Sequence, residues 1–319
     1  MTSAALHLGL REATLEGLQQ KPKELPTVWL YDKRGSQLYE EVTRLSEYYP
    51  PRREREILRD RSPEIAALTH ARTLVELGAG NASRTRLLLD ALASTLERFV
   101  PLDVSEEFLR STAEAVAAEY PRLAVDPFVG DFERDLHSLP AGGPRLIALL
   151  GSTIGNFYPA QRRRFLGAVA GALEEEDAFL VGLDLVKDVP RLEAAYNDEC
   201  GVTETFVRNA LAAVNRELDA TFDQHSLGYS ARWDPEHEWM DIGFRARHAH
   251  RVSIRALDLE LAFAENEQLR VEVSSKFRRE RFELEAREAA LAVDGWWTDE
   301  AGDFALALMT RNERRGSCP

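Results

Sequence analysis

Residues 73–80 read TLVELGAG, a short apolar run that ends in two glycines. The stretch that follows, RTRLLLDALAS at 84–94, places its apolar residues at helical spacing. A buried strand, a glycine loop and a helix in succession let the backbone approach a ligand where a side chain would collide. The same turn also occurs in α/β proteins that bind nothing there, so this stretch indicates the fold and leaves the ligand open.

The alternation of strands and helices continues after the glycine loop. The helices are SEEFLRSTAEAVAAEY, which we expect Ser105 to open with a capping box, and AQRRRFLGAVAGAL, on which we expect Arg162–Arg164 to form a solvated face. Strands separated by helices of this length predict an α/β fold with a doubly wound parallel sheet, whose ligands bind at the carboxyl ends of the strands. The further predicted strands are RFVPLDV (98–104), LAVDPFVGDF (123–132), RLIALLGS (145–152) and FLVGLDLV (179–186).

The C-terminal segment predicts an antiparallel hairpin, VDGWWTD and DFALALMTR, joined by a turn at Gly302. Such a hairpin is the expected ending of the Rossmann-like class I methyltransferase sheet. Between the two parts of this sheet, the rhythm changes to a long helical stretch (191–218) and several alternating strands, an α+β pattern. We therefore expect two domains: 53–187 with 277–319 as the cofactor domain, and 1–52 with 188–276 as the substrate domain.

Three acidic or glycine positions fall at successive strand ends. Asp103 ends the second strand, 25 residues after Gly78, where a carboxylate can accept both hydroxyls of a ribose. Asp131 and Phe132 follow the third strand, where they can hold an adenine amino group and pack on its ring. Taken singly, Asp103 could be a helix-capping residue, and Asp131 with Phe132 a turn and a core aromatic. Together with Gly78, they predict a nucleoside-type cofactor.

Two further motifs narrow the choice of cofactor. In GAGNAS, Ser83 replaces the third glycine of the dinucleotide-binding motif, whereas Glu76, two residues before Gly78, gives the E-x-G-x-G form common in methyltransferases. The loop GSTIGNF (151–157) follows the fourth strand, and Asn156 in it offers a carboxamide acceptor to a substrate amine. A structural asparagine in a glycine-containing turn is the alternative.

Composition limits the partners. The 319-residue chain carries a net charge of −14, which argues against a sequence-independent grip on nucleic acid or an anionic membrane. It has two cysteines, Cys200 and Cys318, and neither a signal peptide nor a membrane span is predicted. We expect a cytoplasmic monomer with a small-molecule substrate. His248 and His250 share a strand face without further ligands, so no metal is expected.

Long segments of the chain resemble the histidine-specific Nα-methyltransferases of ergothioneine biosynthesis. The resemblance extends from about residue 20 to residue 311. The segments that carry it are LYDKRGSQLYEEVTRLSEYYPPRRE, LVELGAGNASRTRLLLDAL, LGSTIGNF, DLVKD, NRELDATFD, VEVSSKFR and WWTDEAGDFALAL.

The resemblance implies S-adenosylmethionine as the methyl donor and L-histidine as the substrate. Arg84 stands where the family has a lysine, and Ile242 replaces a methionine that lines the imidazole pocket, which leaves the preference for histidine open. The implied cofactor residues are Tyr31, Gly78, Arg84, Asp103, Asp131 and Phe132. The implied substrate residues are Tyr48, Asn156, Tyr196, Ile242, Glu272 and Ser274, and the implied catalytic residues are Tyr31 and Asn156.

Glu272 and Ser274 have a physical basis for this role. Residues i and i+2 of a strand face the same side, and a carboxylate with a hydroxyl can address both nitrogens of an imidazole. Without the resemblance, a solvated glutamate beside a serine would be the simpler interpretation.

The activity implied is trimethylation of the α-amino group of L-histidine to the betaine hercynine, the first step of ergothioneine biosynthesis. One alternative is a methyltransferase for another aromatic amino acid such as a tryptophan derivative, although indole needs an acceptor at only one nitrogen. The others are an NAD-dependent oxidoreductase, and a non-catalytic protein that binds the amino acid or S-adenosylmethionine.

Overall fold

The computed structural model describes the backbone of residues 3–312 and the side chains from residue 9 onward, so Cys318 lies outside the described residues. The chain divides into two compact units. Unit 1 comprises Met1–Tyr49 and Lys187–Ser275, and unit 2 comprises Pro50–Val186 and Lys276–Pro319. The roles that the sequence predicts for the two parts of the chain stay a prediction.

Residues 3–312 form nine α-helices. In chain order these are α1 (Ser3–Leu18), α2 (Lys33–Val42), α3 (Pro50–Thr69), α4 (Thr85–Ala91), α5 (Glu106–Glu119), α6 (Pro159–Ala172), α7 (Val189–Tyr196), α8 (Val202–Leu218) and α9 (Arg279–Glu288). None of them is long and apolar enough to cross a membrane.

The same residues form fourteen strands. They are β1 (Lys23–Glu24), β2 (Thr73–Leu77), β3 (Arg98–Asp103), β4 (Ala124–Val125), β5 (Phe128–Val129), β6 (Arg145–Leu149), β7 (Ala178–Asp184), β8 (Leu227–Asp234), β9 (Trp239–Ala246), β10 (His250–Ile254), β11 (Leu259–Phe263), β12 (Gln268–Ser275), β13 (Leu291–Thr298) and β14 (Phe304–Arg311).

Unit 2 is built on an eight-stranded sheet in the order β13-β14-β7-β6-β2-β3-β4, with β5 also paired to β3. The pairs from β7 to β3, and those of β3 with β4 and β5, are parallel, whereas β14 runs antiparallel to β7 and β13. Every residue of β2 is buried. Val75 and Leu77 pack into one apolar cluster and Leu74 into another, because alternate side chains leave opposite faces of the sheet. The predicted doubly wound sheet with its terminal hairpin is confirmed.

Unit 1 has a four-stranded sheet in the order β1-β12-β9-β8 and a separate β10-β11 hairpin. Helices α2, α7 and α8 contribute Leu38, Leu192 and Leu211 to the same core as Ile242 and Phe244 of β9. The β12–β9 ladder contains an irregularity: Arg270 pairs with Gly243 but Glu272 pairs with Ile242, so Val271 is an extra residue. This β-bulge decides which side chains of β12 reach the core.

Several local predictions were wrong. The stretch 191–218 is two helices rather than one, because the Asp198 carboxylate accepts the N–H groups of Val202 and Thr203 (both 2.8 Å) after a left-handed Gly201. The strand predicted at 123–132 is interrupted between β4 and β5 by Pro127, which cannot donate a ladder hydrogen bond.

Two smaller expectations also failed. Ser105 makes no side-chain capping hydrogen bond at the start of α5. Its backbone N–H instead donates to Asp103 Oδ1 (3.0 Å), so the aspartate satisfies this helix end. Strand β11 was not predicted, and neither was the short strand β1.

Candidate active site

The glycine loop of unit 2 follows β2 and lies against the end of β3. The N–H of Gly78 donates to the Leu102 carbonyl (2.8 Å), and Gly78 and Gly80 have φ angles of +70° and +51°. Residues with a side chain are strained in this region of φ. A Cβ on Gly78 would lie 3.6 Å from the ring of Phe132, so the loop and the residue after the third strand are neighbours.

Asp103 braces this loop from the neighbouring strand. Its carboxylate accepts the N–H of Gly80 (3.3 Å) and the N–H of Ser105 (3.0 Å). Burial raises the pKa of Asp103, and these hydrogen bonds oppose that effect. The carboxylate therefore has a structural role, because it joins the glycine loop to the end of β3. Its predicted contact with a ribose stays a prediction.

Asp131 and Phe132 stand directly after β5 and Gly130. Asp131 Oδ1 accepts the N–H of Glu133 (2.9 Å), and Arg134 Nε lies 3.7 Å from Asp131 Oδ2. The Phe132 ring lies 6.3 Å and 6.0 Å, between centroids, from two other phenylalanine rings, those of Phe157 and Phe165. Both residues make local contacts, and Phe132 adds one face of the space beside Gly78.

Arg84 opens α4 and forms an ion pair that the sequence did not suggest. Arg84 Nη1 lies 2.8 Å from Oε2 of Glu54, a side chain of α3 that is fully buried. Glu54 Oε1 accepts the N–H of Gly151 (2.7 Å). The sequence signal for a buried group at this point was a glycine, Gly182, within the apolar strand β7. A Cβ there would lie 2.2 Å from Glu54 Oε1.

Glu76, in the strand before the glycine loop, is buried with one unsatisfied oxygen. Oε1 accepts a hydrogen bond from the hydroxyl of Thr85, whereas no donor among the described residues reaches Oε2. Burial raises the pKa of Glu76 to about 8, and the nearby carboxylates of Glu54 and Asp103 also raise it. A cationic ligand beside this loop would lower that pKa and favour the ionised form of Glu76.

Asn156 ends the short turn Thr153–Asn156 after β6 and is partly buried. Ser152, at the start of this turn, has a φ of +56°, and its hydroxyl accepts the N–H of Asp184 (2.9 Å). The loop from Gly151 to Asn156 is thus anchored by Glu54 at one residue and by the end of β7 at the next.

Unit 1 contains a cluster of tyrosines. The rings of Tyr31 and Tyr39 are 5.8 Å apart, as are those of Tyr48 and Tyr196, and Tyr39 and Tyr48 are 6.3 Å apart. Burial raises the pKa of Tyr31 well above its ordinary value, followed by the charge of Glu272. Burial also raises the pKa of Tyr48, with Tyr39 and Tyr196 contributing. These hydroxyls stay protonated at neutral pH.

Glu272 and Ser274 lie on the core-facing side of β12. Glu272 pairs directly with Ile242 of β9, which is completely buried, and only 9% of Glu272 is exposed. The hydroxyls of Ser274 and Tyr196 are within hydrogen-bond distance (2.9 Å). The Tyr229 hydroxyl donates to the Tyr196 carbonyl (2.7 Å) and fixes that tyrosine from the backbone side. Carboxylate, hydroxyls and aliphatic wall therefore share one region of unit 1.

The predicted residues thus form two groups, one in each unit. Tyr31, predicted also as a cofactor contact, lies in unit 1 with the substrate residues, and Asn156, predicted as a substrate contact, lies in unit 2 with the cofactor residues. The sequence missed Glu54 and Tyr39; Tyr39 stands in the segment LYDKRGSQLYEE, but its position between two other rings depends on the fold.

A buried arginine and a pair of histidines lie outside these two groups. Arg162, expected on a solvated helix face, is instead buried and pairs with Glu285 (2.7 Å), so it joins α6 to α9. The rings of His248 and His250 are 5.6 Å apart. Within residues 3–312, no cluster of histidine, cysteine and acidic side chains is arranged to hold a metal ion.

Comparison with known proteins gives a consistent result. The profile of a family described as histidine-specific methyltransferase, SAM-dependent, matches residues 10–311. The chain is 50% identical over 304 residues to the histidine N-alpha-methyltransferase of Mycolicibacterium smegmatis, covering 95% of each protein. It is 48% identical over 307 residues to the histidine N-alpha-methyltransferase of Mycobacterium tuberculosis, covering 96% of each. It is also 31% identical over 312 residues to ergothioneine biosynthesis protein 1 of Neurospora crassa, covering 91% of this chain and 33% of that protein.

Proposed function

The chain belongs to the SAM-dependent histidine-specific methyltransferase family, and we propose that it transfers methyl groups from S-adenosylmethionine to the α-amino group of L-histidine. Three transfers give hercynine, and this trimethylation is the first step of ergothioneine biosynthesis. The observation that carries the choice of substrate is the buried set of Glu272, Ser274 and Tyr196 beside Ile242. The relatives named above, one of them an ergothioneine biosynthesis protein, support the same activity.

The residues around the glycine loop fit S-adenosylmethionine. Its sulfonium and amino groups make it cationic, and the buried Oε2 of Glu76 has no donor among the described side chains. Phe132 is a neighbour of Gly78 and offers an aromatic side chain to the adenine ring, and Asp103 stands at the end of the adjacent strand. When bound, S-adenosylmethionine supplies an activated electrophilic methyl group. We assign Gly78, Arg84, Asp103, Asp131 and Phe132 to its binding.

The polar pair on β12 suits an imidazole ring. A carboxylate accepts from an imidazole N–H, while the hydroxyl of Ser274 can donate or accept at the other nitrogen. Paired polar contacts reject analogues that lack a partner group, because the buried carboxylate would then stay unsatisfied. Ile242 provides an aliphatic wall beside Glu272 on the same face of the sheet. Tyr48, Tyr196 and Asn156 would hold the backbone of the amino acid.

The amine must lose its proton before it can attack, since an ammonium has no lone pair. Tyr31 and Tyr48 remain neutral because burial raises the pKa of both hydroxyls. They therefore act as hydrogen-bonding groups that orient the amine and pass protons towards water, together with the Asn156 carboxamide. No residue is assigned as a dedicated base. The catalytic contribution of the chain is orientation.

The partners and location follow the same proposal. We propose a cytoplasmic, monomeric enzyme that needs no metal. The absence of a cysteine framework from the sequence supports the reducing compartment. The net charge of −14 supports the proposal that the enzyme binds neither nucleic acid nor membranes.

A direct experiment separates the candidate functions. The purified protein is incubated with S-adenosylmethionine and an equimolar mixture of the twenty amino acids, and the products are analysed by mass spectrometry. Histidine should be the amino acid that gains three methyl groups. Methylated tryptophan with unchanged histidine would favour the alternative substrate, and cofactor binding without any methylated product would indicate a binding protein.

A further inference from the structure

Glu54 is a buried carboxylate that touches two loops of unit 2 at once. It projects from α3, and none of its side chain is exposed. One oxygen lies 2.8 Å from Arg84 Nη1, and the other accepts the N–H of Gly151 at 2.7 Å. Arg84 opens the helix after the glycine loop, and Gly151 opens the loop that contains Asn156. A single side chain therefore joins both segments.

The central sheet has room for this carboxylate because of a glycine. A Cβ on Gly182, in the middle of β7, would lie 2.2 Å from Glu54 Oε1 and 3.1 Å from the ring of Phe304. Any larger residue at position 182 would displace the glutamate from Gly151. The fold thus leaves space for the Glu54 carboxylate beside the middle of β7.

Stability does not account for this arrangement. Burial raises the pKa of Glu54, and the charge of Arg84 and the hydrogen bond from Gly151 only oppose that effect. Buried ion pairs are often no more stabilising than apolar residues of similar volume, because both ions lose their hydration. What the carboxylate does provide is a negative charge 2.8 Å from the guanidinium and a hydrogen bond that fixes the Gly151 backbone.

We propose that Glu54 is a positioning residue for methyl transfer. It orients Arg84 towards the carboxylate of the bound cofactor, and it holds in place the Gly151–Phe157 loop, which carries Asn156. The inference rests on the proposed function, since both partners take their roles from it. The two effects are separable, because one operates through cofactor affinity and the other through the substrate.

The first test isolates the effect on Arg84. Glu54→Gln keeps an oxygen that can accept from Gly151 but removes the charge that orients the guanidinium. We expect the Kd for S-adenosylmethionine, measured by calorimetry, to rise about tenfold, the scale of one charge-assisted hydrogen bond. The KM for histidine at saturating cofactor should stay within about twofold of wild type, or about 0.4 kcal/mol, because the acceptor for Gly151 is kept.

A double-mutant cycle then distinguishes positioning from general structural damage. If Glu54 acts on the cofactor through Arg84, Glu54→Gln should change the Kd by less than about twofold when it is added to Arg84→Ala. An equal loss in both backgrounds, or an unchanged Kd in the single variant, would overturn the proposal. Glu54→Leu, which also releases Gly151, should in addition lower kcat at saturating concentrations of both substrates; a kcat equal to that of Glu54→Gln would remove the loop from the proposal.

The matched control is Asp177→Asn. Asp177 is likewise a buried carboxylate of unit 2 that accepts a backbone N–H and pairs with an arginine, Arg145, but it precedes β7 and so lies at the amino end of the strands. We expect it to lower Tm without changing the cofactor Kd. The Kd measurements need no turnover, so a wild-type protein that binds the cofactor but methylates no histidine would refute the proposed function and still test Glu54.

Discussion

Glu272 and Ile242 face each other across the β12–β9 ladder as directly paired residues, immediately after a bulge that leaves Val271 without a partner. Paired residues on adjacent antiparallel strands have side chains within about 5.5 Å of each other on the same face. The carboxylate thus stands beside an aliphatic side chain in a buried environment. It follows that these two positions should affect recognition of the amino acid in different ways.

Glu272→Ala should weaken histidine binding strongly. Loss of a buried acceptor for an imidazole N–H costs about 2–3 kcal/mol, so the KM for histidine should rise on the order of 100-fold. Steady-state kinetics at saturating S-adenosylmethionine measures this change, and calorimetry should find an unaltered cofactor Kd. Glu267→Ala, on a more exposed glutamate of the same unit that pairs with Lys23, is the matched control and should leave KM unchanged. A wild-type KM in Glu272→Ala would refute the pocket assignment.

Ile242→Met should have a small effect. The side chain is fully buried, and exchanges of hydrophobic residues of similar volume cost less than about 1.5 kcal/mol. We expect the KM for histidine to change by less than about tenfold, with kcat and cofactor affinity preserved. If no kinetic constant moves while Tm shifts, Ile242 belongs to the core alone and does not line the substrate pocket.

Asp103→Ala should impair cofactor binding for two reasons. It removes the proposed ribose contact and also the acceptor for the N–H groups of Gly80 and Ser105. The Kd for S-adenosylmethionine should rise by at least about tenfold. Asp103→Asn retains an oxygen that can accept one of these N–H groups. Its Kd should therefore lie between those of wild type and Asp103→Ala. Equal affinity of Asp103→Ala and wild type would exclude the ribose role.

Glu76 should make the stability of the cofactor-free protein depend on pH. Its pKa is raised from 4.5 to about 8, so the folded state holds a proton that the unfolded state releases at lower pH. The stabilisation is full below about pH 4.5 and is lost as pH rises through 8. The free energy of unfolding of wild type relative to Glu76→Gln should therefore fall by roughly 4 kcal/mol across this window. Urea unfolding at several pH values tests this, and a difference that is independent of pH, or that grows with pH, would contradict the assignment.

Much of the fold could be predicted because its signals are local. The apolar run before Gly78, the repeated strands and helices, and the closing turn at Gly302 each occupy a few consecutive residues. These patterns correctly predicted the parallel sheet and its antiparallel end. The break between α7 and α8 was harder: Asp198 and Gly201 are residue types that often stand at helix ends, but only their hydrogen bonds and φ angle show that a new helix begins here.

The residues that the sequence missed depend on contacts between distant segments. Glu54 lies among arginines in PPRRERE, and its importance becomes visible only when Arg84, Gly151 and Gly182 surround it. Arg162 was misjudged for the same reason, since its partner Glu285 lies 123 positions away. A helical pattern identifies the helix, but which face carries a buried charge depends on the neighbouring elements.

The bulge at Val271 changes which face of the sheet the later side chains of β12 point to. Before the bulge, Leu269 faces the core, and Arg270 forms an ion pair with Asp241 on the opposite face. After the bulge, Glu272 lies on the core side. If β12 kept a regular alternation through Val271, Glu272 would share the face of Arg270. Gly243 makes the shift possible, because a Cβ there would lie 2.2 Å from the Leu269 carbonyl oxygen. The proposed recognition of the amino acid thus depends on a one-residue count in the backbone as much as on the chemistry of the side chains.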